Sequence, residues 1–479
     1  MFPFEKLPVD LVQPILSQLD DRRDLTVAAI VCRSFNYAAT PLIYRTVDAG
    51  IKDKNVLHPS ATLLRRPELA QYVWHVTETG DTVRKNPYVM GDITAALRLC
   101  TNLVSVTWWD RSKSAEVNFM PILEVLMTLP LKELNLHTQY DIGDRAWALL
   151  NEMSGIRRLS VWSLDWGPPR VLQGWAELLG PTLTHLELGR CAGVPPTVLI
   201  SVFLQLPLLR DLRVRGVPSA AIPSIMACLP KLTALDTDYN GRGKYRSPHV
   251  PLPSLRSLTV QASSVDVLGP DQLWRWISSL IPHGESLQSF SLASFAVQGQ
   301  IAIPHPFIIR LIRLHGKSLK RFTVAAAEIT PDALLYLSRD CPLLEELECF
   351  GPSPNVHVIA KVAESAKNLR SLQLNVHWTE DEAVNSSGQV GRYFRERTLY
   401  GDHTYPSCHQ PVDFSAEEAM ALMLQKGSKL RAIRLGANSY TGRWVHATMK
   451  RGSNRDGSSL AFEEGNVIFE VTKDNYPGL

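Results

Sequence analysis

Seven cysteines and thirteen histidines are the residues of this 479-residue chain best suited to chemistry, and their spacing decides against most of it. A structural zinc site asks for two close ligand pairs. Cys408-His409, with His403 nearby, is a single cluster without a second pair, so no metal site is expected. The odd cysteine count and the lack of a Cys-x-x-Cys pair point to free thiols in a reducing compartment. Gly316-Lys317-Ser318 has the ending of a phosphate-binding loop, but the glycine required five residues earlier is Leu311. The spacings His-Glu-x-x-His, Gly-x-Ser-x-Gly and Gly-x-Gly-x-x-Gly do not occur. Among 47 acidic residues some Asp and His meet by chance, so no catalytic pair can be nominated. Neither an enzymatic activity nor a cofactor is expected. Asn385-Ser386-Ser387 is a glycosylation sequon only in form, since it acts in secreted chains.

The elements that carry these residues follow one phrase, Leu-x-x-Leu-x-Leu or a close variant, which recurs about a dozen times. Counted from the first apolar residue of each strand, copies begin at Leu103, Leu131, Ile156, Leu183, Leu209, Leu232, Leu255, Leu287, Leu319, Leu344, Leu369 and Leu430. Neighbouring starts lie 23 to 32 residues apart, except for the last pair at 61. The stretch from Ile329 to Cys349 shows the unit: a helical segment, a Cys-Pro junction at Cys341, then an alternating strand. This period resembles the leucine-rich repeat, in which each unit offers one strand and one helix and stacked units share a continuous core. The likeness is strongest to the cysteine-containing class. Cys100, Cys228 and Cys341 take its place before the strand, and Cys191 takes the place after it. The resemblance implies an α/β solenoid with a parallel sheet on its concave face, and cysteines that act as small buried core residues.

Within each strand the leucines turn inward, and alternation sends the intervening residues to the concave face. Those positions hold Ser105, Thr107 and Trp109, then Glu133, Asn135 and His137, then Arg158, Ser160 and Trp162. His185, Glu187 and Gly189 follow, then Asp211, Arg213 and Arg215, then Ala234, Asp236 and Asp238. Later repeats offer mostly small residues, Ser257, Thr259, Ser289, Ser291, Ala293 and Ala325, before Glu346, Glu348 and Phe350. Trp109, His137 and Trp162 occupy the same place in successive strands, about 5 Å apart, and so form one row. Trp and Arg are the types that most often anchor interfaces. The row, with Arg213 and Arg215 beside it, is therefore the candidate surface for a target protein. Two plainer readings stand beside it: the tryptophans pack under a rim loop, or the arginines merely pair with Asp236 and Asp238.

The N-terminus breaks the repeat. Leu7, Leu11, Val12 and Ile15 recur at helical spacing, with Asp10 available near the start as a cap. A polar turn at Asp20-Asp21 leads into Asp24-Leu25 and on to Val31-Cys32-Arg33, and the segment closes with Leu42-Ile43-Tyr44. Residues 4–47 resemble an F-box, whose pattern opens with Leu-Pro, passes through Leu-Asp, Asp-Leu and Val-Cys-Arg, and ends at Leu-Tyr. Phe35 stands where the family usually has Trp. Pro14 costs little if the helix starts near Asp10, and one backbone bond if it starts at Pro8. The resemblance implies docking onto a Skp-type adaptor and, through it, a cullin scaffold. Leu7, Pro8, Leu11, Ile15, Leu16, Leu25, Val31, Cys32 and Tyr44 match the family's apolar positions and form the expected adaptor-facing set. A helical hairpin of about 40 residues cannot bury all of its apolar surface alone. The same residues could instead form only the inner core of a cap on the solenoid.

The expected layout is an F-box at 1–48, a connecting segment at 49–68, the repeats at 69–440 with an insertion at 378–415, and a C-terminal β cap at 441–479. The insertion is expected to end at a helix from Ala416 to Gln425. Arg443–Met449, Leu460–Phe462 and Val467–Val471 read as strands separated by turn signals. At 45% hydrophobic and 20% charged residues, with a net charge of +3, composition gives no case for nucleic acid or a membrane surface. No apolar run approaches the roughly 18 residues needed to span a bilayer. Glu5, Lys6, Asp10 and Asp20 are out of place in a secretory leader, so the cytoplasm or nucleus is expected. The combined expectation is a non-catalytic substrate receptor of an SCF-type ubiquitin ligase. The alternative is a leucine-rich scaffold or regulator without ligase association.

Overall fold

The computed structural model describes residues 8–50, 57–163, 170–241, 252–262, 271–281, 284, 286–294, 301–351, 356–376, 414–436, 438–446 and 467–475. The chain forms two compact units, Met1–Asp238 with Arg246–Pro253, and Tyr239–Tyr245 with Ser254–Leu479.

The first unit begins with three helices, α1 (Val9–Leu16), α2 (Arg22–Ala29) and α3 (Arg33–Tyr44). Pro8 precedes α1 and gives no side-chain cap, so Asp10 is not the cap that the sequence suggested. Asp10 lies within the first turn instead, where a carboxylate complements the positive end of the helix dipole. Pro14 is thus inside the helix, where its missing N–H forfeits one backbone bond. Asp21 caps α2 by accepting from the Arg23 amide at 2.8 Å. Val12, Leu16, Leu25, Ala38 and Ala39 fill the space between the helices, with Leu19, Phe35, Leu42 and Ile43 packed around them.

The chain leaves α3 directly into a short strand, β1 (Thr46–Asp48), which pairs in parallel with β2 (His75–Thr79). The sequence did not reveal this strand, so the helical segment feeds the sheet without a free linker. From β2 the sheet grows one parallel strand at a time through β3 (Ser105–Asp110), β4 (Glu133–Thr138), β5 (Arg158–Ser163), β6 (His185–Leu188), β7 (Asp211–Val214) and β8 (Ala234–Tyr239). The alternate leucines are the reason for this regularity. Leu134, Leu136, Leu159, Leu186, Leu188 and Leu212 are buried on one side of the strands, and the residues between them reach the other. Intervening helices such as Ala115–Leu126 bury Phe119, Ile122 and Leu123 against that core.

The second unit repeats the device with β9 (Ser257–Ala262), β10 (Ser289–Ser294), the two-residue β11 (Ile301–Ala302), β12 (Arg321–Glu328), β13 (Glu346–Gly351), β14 (Ser371–Val376) and β15 (Ala432–Leu435), all parallel. Phe290 packs between Phe307 and Phe322, with ring centroids 5.6 and 5.7 Å away. The direction then reverses through a tight turn in which Gly436 takes φ +56°, a conformation that favours glycine. Antiparallel strands β16 (Asn438–His446) and β17 (Val467–Asn475) follow. The helix before β15 runs Ala416–Met423 and opens with a capping box between Ser415 and Glu418. The expected strand at 460–462 and nearly all of the expected insertion lie outside the described residues.

Cys100, Cys191, Cys341 and Cys349 are buried and free, while Cys228 is only half-buried, less enclosed than its place before a strand suggested. Burial pushes the thiols of Cys100 up to about 11 and of Cys191 and Cys341 up to about 12, so they remain protonated fillers.

Candidate functional sites: an apolar helical face and an aromatic row

The three N-terminal helices divide the predicted adaptor-facing residues into two groups. Leu16 and Leu25 are 4% and 8% exposed and belong to the interior, so they are not available to a partner. Tyr44 is half-buried, and Leu7 lies outside the described residues. Pro8, Leu11, Ile15, Val31 and Cys32 do face outward. The structure adds Val27, Ile30 and Tyr37, which the sequence reading passed over; Ile30 is 81% exposed. Their signal was present, since Val27, Ile30 and Val31 recur at i, i+3 and i+4, out of phase with buried Leu25. Covering a large aliphatic side chain is worth roughly 1.5–3 kcal/mol, so several together can support a stable interface.

The second surface lies on the sheet of the first unit. Parallel register sets Trp109 of β3 opposite His137 of β4, and His137 opposite Trp162 of β5. The rings use that register: Trp109 and His137 stack at 4.1 Å and 10°, and His137 and Trp162 at 6.4 Å and 19°. Gly189 follows directly on β6, and its amide donates to the Val161 carbonyl at 2.8 Å. A Cβ at Gly189 would meet the Trp162 ring at 2.4 Å, so the glycine makes room for that indole to lie over the strand. Trp162 is half-buried and closes one end of the row. Trp109 forms the other end and remains 45% exposed. Burial lowers the His137 imidazole below its ordinary range, with the nearby Glu187 carboxylate opposing, so the row is held as a neutral stack.

Charged groups continue the same face. Arg215 is bound to Asp236 at 2.8 Å, and Asp238 accepts from the Gly216 amide at 3.0 Å. The arginine–aspartate pairing weighed from the sequence thus holds for Arg215 and Asp236. Arg213 stands exposed, in register with Asp236. Between the aromatic row and these groups a cleft is lined by Asn135, Arg158, Ser160, His185, Glu187 and Asp211. Ser160 donates to Glu187 at 3.0 Å, and Asn135 donates to Thr107 at 3.2 Å. Burial raises the Asp211 carboxyl, with Arg213 the main opposing charge.

One further cluster has the residue types of a hydrolase. Ser60 Oγ lies 2.8 Å from His58 Nδ1, and His58 Nε2 lies 3.3 Å from Glu78 Oε2. All three are buried, and His58 Nδ1 also accepts the Ser60 amide, capping the helix Pro59–Arg65. The cluster fastens that helix to β2 rather than presenting a nucleophile. Among the described residues no group of His, Cys, Asp and Glu is placed to hold a metal, and no helix is long and apolar enough to cross a membrane. The His403, Cys408 and His409 cluster lies outside them.

Residues 4–49 match the family described as F-box-like. No curated protein matches the chain in sequence. Among solved structures, it is similar to a chain of the Rad7 and Elc1 complex in yeast, with 16% identity over 78% of this chain and 88% of that one, at a TM-score of 0.43. It is also similar to the TLR13–ssRNA13 complex, with 14% identity over 70% of this chain and 48% of that one, at a TM-score of 0.39. Neither likeness bears on what this chain binds.

Proposed function

We propose that this protein is the substrate-recognition subunit of an SCF-type ubiquitin ligase, with no catalytic role of its own. The F-box-like segment binds a Skp-type adaptor and, through it, a cullin. The strand–helix array, read as cysteine-containing leucine-rich repeats, binds the target protein through Trp109, His137, Trp162, Arg213 and Arg215. Such a receptor works in the cytoplasm or nucleus. The observation that carries the reading is the division within residues 4–49: the helices have a filled interior of their own and still leave Leu11, Ile15, Val27, Ile30, Val31 and Tyr37 uncovered. A segment serving only as a cap would turn that surface inward. Pairing of β1 with β2 lets the segment also close the sheet, so docking and capping coexist.

The test uses exposed positions so that folding is spared. Leu11→Asp with Ile15→Asp should lower co-purification of the adaptor by roughly tenfold or more, because each tenfold needs only about 1.4 kcal/mol. The melting temperature should stay within a few degrees of wild type, as surface substitutions usually allow. Undiminished adaptor binding would favour the scaffold reading.

A further inference from the structure

The aromatic row has one open end, and its surroundings specify what fits there. The inner face of Trp109 is taken by His137, while the next strand places Thr79 in register with Trp109, a residue too small to cover an indole. Among the described residues no ring or cation lies against the outer face of Trp109. An exposed indole face attracts cations through the ring quadrupole, and a planar guanidinium stacks on it better than an ammonium does.

The charge of the face agrees. Alternation places six carboxylates on the sheet surface of the first unit: Asp48, Glu133, Glu187, Asp211, Asp236 and Asp238. Three guanidinium groups share it, those of Arg158, Arg213 and Arg215. The formal balance is three minus six, or −3, on a chain whose net charge is +3. His75, His137 and His185 share the face; burial lowers the imidazoles of His137 and His185 and likewise raises the Asp211 and Asp238 carboxyls, so the balance is a formal one. Arg111 and Lys113 are exposed but follow β3, at the rim. A polyphosphate chain would be repelled by such a face, since nucleic-acid affinity rests on neutralising phosphates. A basic polypeptide would be drawn to it.

We infer that this face selects a basic, extended segment of its target, with an arginine side chain laid flat on the outer face of Trp109 and the acidic strand residues holding neighbouring cations. The inference rests on the proposal that the first unit's sheet takes the target, and deepens it to a substrate class.

The full-length protein, immobilised, is offered a random peptide display library; captured sequences are then synthesised with arginine or with its neutral isostere citrulline. Captured peptides should be rich in arginine. One citrulline replacement should weaken binding roughly tenfold, Trp109→Ala should do the same, and Trp109→Phe should restore part of it. Raising salt should weaken binding as well. If capture depends on Trp109 but the peptides show no arginine excess, the charge assignment is wrong while the target face stands. If no capture depends on Trp109, both fall.

Discussion

The two units use the same inward residues and different outward ones. In the first, Leu134, Leu136, Leu186 and Leu188 build the core while Trp109, His137 and Trp162 stack on the open side. In the second, Leu258, Leu292, Leu347 and Leu372 do the same inner work. There most outward positions are short or already paired: Ser257, Thr259, Ser289, Ser291 and Thr323, then Gln373 donating to Glu348 at 2.8 Å and Arg321 beside Glu346 at 3.2 Å; half-buried Phe350 is a large exception. Packing constrains only the inward half of each strand. The outward half is free to vary, so large aromatic residues gathered there ask for an explanation that the fold does not supply. Exposed ion pairs such as Arg321–Glu346 contribute little and ask for none.

The contrast can be broken by disturbing the stack. Gly189 has an ordinary backbone conformation but a Cβ would overlap the Trp162 ring at 2.4 Å. Gly189→Val should displace the indole, change the near-ultraviolet circular dichroism and cost about 1–3 kcal/mol through overpacking. Ser291→Val, on the open face of the second unit, should stay within about 0.5 kcal/mol of wild type. Equal costs would mean that the two faces are packed alike.

A smaller effect sharpens the comparison through pH. His137 is lowered from its ordinary 6.5 by burial, so it should titrate below 6.5 by NMR. Between the two midpoints the unfolded chain binds more protons than the folded one, so the stability tied to His137 is full above 6.5 and declines as pH falls towards the lowered value. His137→Phe keeps an aromatic link and should flatten that decline. A midpoint at 6.5 would show the stack to be open to water, and one above 6.5 would show that the Glu187 carboxylate outweighs burial.

Much of this was legible in the sequence, for identifiable reasons. The Leu-x-x-Leu-x-Leu spacing fixes which side each strand residue takes, so the row from Trp109 to Trp162 follows from counting by two. Counting could not show that Trp162 leans over Gly189, because that depends on a neighbour's missing side chain. The helical segment was less readable. Leu11 with Ile15 and Val12 with Leu16 have the same i, i+4 spacing on adjacent faces of α1, and only packing against α3 decides that Val12 and Leu16 turn inward. Strand β1 was missed because Thr46–Asp48 is too short to show alternation and gains its meaning only from β2.

The central claim is that one chain carries an adaptor surface and a target surface on different elements. Quantitative proximity labelling in cells tests it, comparing wild type with Trp109→Ala plus Trp162→Ala and with Glu346→Ala plus Glu348→Ala. Truncating interface tryptophans commonly costs ~2 kcal/mol or more, roughly thirtyfold in affinity. The tryptophan variant should therefore lose its target proteins while labelling the adaptor as wild type does, and the glutamate variant should keep both. Retention of the targets by the tryptophan variant, or their loss from the glutamate variant, would contradict the account.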